Sequence, residues 1–501
     1  MRAPYTRRDF LGSLPAAAIG VAGVSAWPVA RGSQDAEITL SSDAVRFRPE
    51  IEPVVRWIEE TPRERIVEKA LDEIKRGLSY RELLAGTFLA AIRNIKPRPV
   101  GFKFHAVMAI HSAHLLGQAA ARTDQLLPLF WALDNFKNSQ AQDVKEGDWT
   151  LARVDESHLP SSTQAKAAFS EAMETWDSDK ADAATAAICR TAGAAEVMEL
   201  FYRFAVRDQR NIGHKPIFSM QCWRTLQAIG WQHAEPVLRS LAFGLLDLQG
   251  DSTPEPAGPY RKNVENANKL RPGWSVGRAD STATLDLLQT LRTADAEAAS
   301  AAVVELLKRE VAPGSLWDGI SLFASELLMR EPGIVALHAM TAANALHFIF
   351  VASGDDTTRK LALLQAAGWM PMYRQRVREN LRLRIDEFGA LNPESSDTDV
   401  VAELFSTIDI DRSQAAGKLL GYSQGGGSLN PVFEAARRMI FLKGRDSHQY
   451  KYGGALWEEC VLASDPKWQA PLAAAAMFYL PGSGAPDVPL IGEARAGLAK
   501  L

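Results

Sequence analysis

The sequence predicts an all-α protein, with antiparallel helical hairpins stacked around a buried core in a helical array of two halves. Three observations predict it. Apolar residues recur at helical spacing along most of the chain, as at Ile66, Ala70, Leu71 and Ile74. Gly, Pro and polar clusters fall where these runs stop. No stretch alternates apolar and polar residues with the two-residue period of a half-buried strand. Nor does a fixed-length repeat mark a known solenoid.

The chain has 501 residues, with 56 Lys plus Arg against 60 Asp plus Glu and a net charge of −4. That balance gives no reason to expect nucleic acid as a partner. The length suits two or three domains of about 100–200 residues each. We divide it into a leader (1–30), a linker (31–50), an N-terminal helical half (51–249), a Pro-rich linker or loop (250–275), a C-terminal helical half (276–485) and a tail (486–501).

The leader is specific. Thr6-Arg7-Arg8-Asp9-Phe10-Leu11-Gly12 resembles a twin-arginine export signal, and an Ala/Gly-rich apolar run follows to Ala26. It implies the twin-arginine export machinery as a partner and a periplasmic or exported location. The run is short and Gly-rich for a permanent anchor, so no permanent membrane span is expected. This route carries folded proteins, often already holding a cofactor. Three cysteines without Cys-x-x-Cys leave zinc knuckles and thioredoxin sites without support.

In chain order, helices are expected at Glu64 to Arg76, stopped by Gly77, and at Arg81 to Ile95, stopped by Pro97 and Pro99. Lys103 to Arg122 encloses an uncharged run carrying His105, His111 and His114. His111 and His114 share a face, with Gln118 one turn on. His105 lies close to half a turn out of phase, so one helix cannot aim all three at one ion. Leu126 to Phe136 is the next helix, then a polar loop to about Ser161.

The polar segment Arg207 to Pro216 leads into a helix from Ile217 to Ile229, and Trp231 to Pro236 leads into another. His214 and His233 thus each precede a helix, where the dipole disfavours imidazolium. Beyond the Pro-rich break, helices are expected at Thr282 to Thr293, Ala296 to Val311 and Ser315 to Met329, the last with Ser315 and Asp318 as a capping box. Ile334 to Ser353 follows, twenty residues without a charge, carrying His338, Thr341, Asn344 and His347 at three-residue steps. A helix apolar all round is buried. Four polar groups in it require a polar network, a ligand pocket or a metal, because an unpaired buried polar group costs roughly 1–3 kcal/mol. His338 and His347 lie half a turn apart in phase and should serve different neighbours. Tyr373 to Phe388 and several shorter helices complete the half. His448 sits in a polar turn ahead of a helix from Gly454.

Eight of the nine histidines therefore fall in four places, which makes them the candidate site residues. A metal site would combine His111 or His114 with His338 or His347 and one of His214 and His448, a donor set suited to iron, copper or zinc. The paired Glu-x-x-His pattern of di-iron bundles is absent. A pocket reading uses His114, His214, Asn344, His347 and His448 to bind a small-molecule substrate. A structural reading makes every histidine a satisfied core residue. No Gly-x-Ser-x-Gly elbow and no Gly-x-Gly-x-x-Gly after a strand is present. Gly425-Gly426-Gly427 lacks the lysine and hydroxyl of a phosphate loop.

The segment His105 to Leu116 with its trailing Gly117, and Leu337 to Leu346, resemble elements of the questin oxidase-like family. The resemblance implies a helical oxidoreductase with NADPH as reductant and an aromatic or polyketide-like substrate. Its positions carried over are His105, His111 and His338 as catalytic residues. The export signal departs from that pattern, because nicotinamide is scarce outside the cytoplasm. The competing class is a non-enzymatic helical-repeat binding protein of the cell envelope whose core histidines are structural.

Overall fold

A computed structural model describes residues 43–98, 101–248, 258–394 and 399–501. The leader and most of the linker lie outside the described residues. The fold is all-α: regular structure among the described residues is helical, with isolated bridges at Ala44–Ala152 and Arg278–Val311.

The elements that build the interior are Tyr80–Asn94 (α1), His105–Met108 (α2), Ile110–Gln118 (α3), Leu127–Lys145 (α4), His214–Ile229 (α5), Pro313–Arg330 (α6), Ile334–Ala352 (α7), Asp356–Arg374 (α8) and Ser447–Leu462 (α9). The uncharged α7 lies at the centre and packs on α5, α6, α8 and α9. It is buried without interruption from Ala336 to Phe350, and each Leu, Ile or Phe so buried contributes about 1.5–3 kcal/mol before entropy is counted. By length and composition it could cross a membrane, yet 83% of its most apolar window is covered by the rest of the protein. The chain's two halves meet here, since α5 comes from one and α7 and α9 from the other.

Several boundaries differ from expectation, each for a local reason. The His105-to-Gln118 run is two helices, broken at Ala109. α4 runs on to Lys145 through what reads as a polar loop, because its polar residues are paired inside. Lys137 donates to the Ile58 and Glu59 carbonyls, and Asp143 pairs with Lys103 at 2.5 Å. The Pro-rich segment holds a helix, Tyr260–Asn268, tied to α8 by Asn263 donating to Gln365 at 2.8 Å.

Tyr373 to Phe388 is not a helix: α8 ends at Arg374 and an irregular stretch follows. Its backbone is claimed by tertiary partners, with Arg330 donating to the Leu383 carbonyl and the Ile385 amide donating to Glu326. Ser315 and Asp318 form no capping box, because α6 starts two residues earlier at Pro313. Asp318 instead accepts from the Ser464 amide. The tail contains the helix Pro489–Leu498, packed on α4.

Candidate metal centre

Three histidines from separate helices meet in the interior. The His214 Nε2 atom lies 2.8 Å from His338 Nε2 and 3.1 Å from His105 Nε2. The ligand atoms of all three fall within 4.8 Å of one another, and none of the residues is more than 3% exposed.

One local device orients all three rings. His105 Nδ1 is 3.1 Å from the Gly101 carbonyl, His214 Nδ1 is 2.6 Å from that of Asn211, and His338 Nδ1 is 2.6 Å from that of Ile334. A carbonyl oxygen only accepts, so each Nδ1 carries the proton and each neutral ring keeps its Nε2 lone pair. The three lone pairs are then turned on one another. Burial holds all three rings well below the usual histidine pKa, assisted by the neighbouring histidines and by Lys451. A proton therefore cannot easily join them.

The turn before α5 sets the middle ring. Asn211, Ile212 and Gly213 have φ of 65°, 53° and 80°. A left-handed β-branched residue costs of order 1–3 kcal/mol and persists only where the surroundings impose it. Here Tyr373 donates to the Ile212 carbonyl at 3.1 Å. Gly213 is obligatory on two counts, because its φ is left-handed and a Cβ would meet Tyr373 Oη at 2.5 Å and Ala342 Cβ at 2.7 Å. His214 is thus the first residue of α5 rather than a residue ahead of it.

His448 packs its ring against His105 and His338, with centroids 4.6 and 5.2 Å away. It lies inside the first turn of α9, not in a turn before the helix, because Asp446 caps α9 and Gln449 completes a capping box. Asp446 also reaches His448 Nδ1 at 3.3 Å.

The remaining predicted residues lie elsewhere. His111 and His114 pair with each other on α3, ring centroids 5.5 Å apart, and Tyr80 Oη is 2.9 Å from His114 Nδ1. The sequence-derived grouping of His111 or His114 with His338 does not form. His105 takes that place, because the break at Ala109 gives it a helix of its own. His347 faces away from His338, as its phase requires: its Nδ1 lies 3.0 Å from Glu459, and its ring stacks on Trp317 at 4.3 Å. Asn344 donates to both Glu458 and Glu459 at 3.1 and 3.0 Å.

Sequence reasoning missed Lys451, Arg224, Glu458 and Glu459, all buried around α7. Glu458 and Glu459 lie in the helix expected from Gly454, and Lys451 in the polar turn before it, with nothing local that singles them out. Their only sequence signal was the four polar residues of α7, which demanded partners.

The donor set is suited to a metal. Imidazole Nε2 ligands whose Nδ1–H groups bond backbone carbonyls are the usual second-sphere arrangement of histidine metal sites. Four-coordinate zinc, with Zn–N near 2.0–2.1 Å, would space its ligand nitrogens about 3.3 Å apart. The two spacings from His214, 2.8 and 3.1 Å, lie just below that value, and the third pair falls within 4.8 Å. Compared with known proteins, the chain matches no family model, no curated protein and no solved structure.

Proposed function

We propose that the protein is a metalloenzyme whose ion is held by His105, His214 and His338, with a coordination position left for a reacting oxygen ligand. The observation that carries it is the convergence of three acceptor nitrogens, each fixed in that role by a backbone carbonyl. Lone pairs 2.8–3.1 Å apart repel unless a cation lies among them. Imidazole suits zinc, iron or copper. With iron or copper the centre would serve an oxidoreductase, the activity implied by the resemblance to the questin oxidase-like family, on an aromatic or polyketide-like substrate. Export fits the same reading. The ligands come from residues 105, 214 and 338, so the centre exists only in the folded chain, and a twin-arginine leader carries folded chains.

Elemental analysis and an absorption spectrum of the purified full chain test this directly. We expect one equivalent of metal, lost in His214→Ala and His338→Ala while the helical circular dichroism persists. Wild-type protein that takes up no stoichiometric zinc, iron or copper on reconstitution would leave the histidines as structural core residues and favour the envelope binding protein.

A further inference from the structure

Beside the histidine centre lies a small cavity between α3, α5, α7 and α9, lined by His111, Gln221, Arg224, Thr341, Lys451 and Glu458 among others. It has room for roughly one water molecule. The lining is unusual in what it leaves unsatisfied. Lys451 Nζ, Thr341 Oγ1, Arg224 Nε, Gln221 Oε1, His111 Nδ1 and Glu458 Oε1 are all buried without a hydrogen-bond partner, Glu458 being ion-paired with Arg224. Buried polar groups are nearly always paired, so six orphans on one cavity mark the place of a polar guest.

The character of the orphans selects the guest. Lys451 is 3% exposed, and an ammonium carries three donors and no acceptor. The Arg224 Nε–H and the Thr341 hydroxyl add two more donors. Asp446 acts on Lys451 through charge without a hydrogen bond, and Glu458, the carboxylate of the lining, is engaged by Arg224 at 2.8 Å and by Asn344 at 3.1 Å. Lys451 and Arg224 stand against the single carboxylate of Glu458 in this lining, and burial lowers the Lys451 pKa to about 7, so an anion that accepts from Lys451 would balance the lining and hold the ammonium.

We propose that this cavity is a subsite for a small oxygen anion of carboxylate type, held by Lys451 and Thr341. Position ties it to the centre. Thr341 follows His338 by three residues on α7, and Lys451 follows His448 by three on α9, so the cavity occupies the next turn of both helices. The proposal deepens the metalloenzyme reading, on which its catalytic meaning rests, because three neutral histidines leave a divalent ion's charge uncompensated and an anion next to it supplies the balance. The substrate class that follows carries a carboxylate, or passes through one, at the reacting end.

Formate is the probe, titrated by calorimetry into the full chain, both zinc-loaded and metal-stripped. We expect one site per chain in wild type, at least tenfold weaker in Lys451→Met and several-fold weaker in Thr341→Val. Lys451→Met removes an unpaired buried amine, so without formate its thermal midpoint should equal or exceed that of wild type. Formate should then raise the wild-type midpoint and leave that of the variant unchanged. Equal formate affinity in wild type and Lys451→Met would overturn the proposal, as would zinc-loaded protein that binds no formate. Should Lys451→Met fail to fold, undiminished binding in Thr341→Val would overturn it as well. Formate bound by protein that takes up no metal would uphold the subsite and refute the metal centre, so the two readings fail separately.

Discussion

The two ends of α7 carry one histidine each, and they solve the problem of a buried imidazole in opposite ways. At the C-terminal end, His347 faces Glu459, which also accepts from Asn344 and from Ser321 at 2.8 Å. The charges and donors there balance within the protein. At the N-terminal end, His338 bonds a carbonyl of its own helix and turns its other nitrogen on two more acceptors. There three ring nitrogens converge, with His448 packed against His105 and His338. A network that balances its own charge is built for stability; a convergence of acceptors is built for something that arrives. The contrast separates structure from function along a single helix of 19 residues.

The balanced end should break most severely. Glu459→Ala removes an acceptor shared by Asn344, His347 and Ser321, leaving Asn344 with Glu458 alone and stripping His347 and Ser321 of this partner in the core. Losing one partner of a buried charged network typically costs about 3–5 kcal/mol. Chemical denaturation should show a loss of that size with metal uptake by the surviving folded fraction intact. A loss below about 1 kcal/mol would mean that Glu459 is not the anchor of this end.

Acid should sharpen the comparison next. Burial of the ring lowers the pKa of His114 and of His233 to about 4 each. Both exceed that value when unfolded, near 6.5, so the unfolded chain binds more protons between these limits. Their stability contribution is whole above pH 6.5 and is lost as pH falls from 6.5 toward 4. Glu459 behaves differently, because His347, Asn344 and Ser321 outweigh its burial and hold its carboxyl below the usual range. Its contribution is whole above the ordinary glutamate range near 4.5 and is lost as pH falls from there through its lower folded value. Denaturation midpoints should therefore begin to fall near pH 6.5, by on the order of 2 kcal/mol before carboxylates titrate. His233→Gln should flatten that early slope, and an unchanged slope would remove His233 from the account.

How much of this was legible in the sequence differs between the same two ends. The buried nature of α7, the out-of-phase aim of His338 and His347, and the need for polar partners all followed from residue spacing. The partners themselves did not. Glu458 and Glu459 look like a solvated pair until α9 is seen packed on α7. His105 and His214 were candidates, but their convergence on His338 depends on backbone events that periodicity does not register. A break at Ala109 frees His105 from the face of His111 and His114. A left-handed run from Asn211 to Gly213 starts α5 at His214 rather than after it. One faint signal existed in hindsight: the His105 and His214 segments both carry a glycine close upstream, at Gly101 and Gly213. The missed helix at the tail and the false one at Tyr373 to Phe388 have the plainer cause that tertiary partners overrode local propensity.

The smallest expected effect is the most discriminating. His105→Leu removes one of the three facing acceptors and puts an apolar side chain of similar bulk into the same space. Against that gain, the Gly101 carbonyl loses a donor, which costs about 1 kcal/mol. In metal-stripped protein the two should nearly cancel, leaving stability within about 1 kcal/mol of wild type. Zinc should then separate the proteins, because an ion at a thousandfold excess over its dissociation constant stabilises the wild type by about 4 kcal/mol and the variant hardly at all. Denaturation with and without zinc reads both terms. A large loss in stripped protein with no zinc-dependent difference would make His105 a member of a balanced core, and the N-terminal end of α7 would then resemble the end that Glu459 already completes.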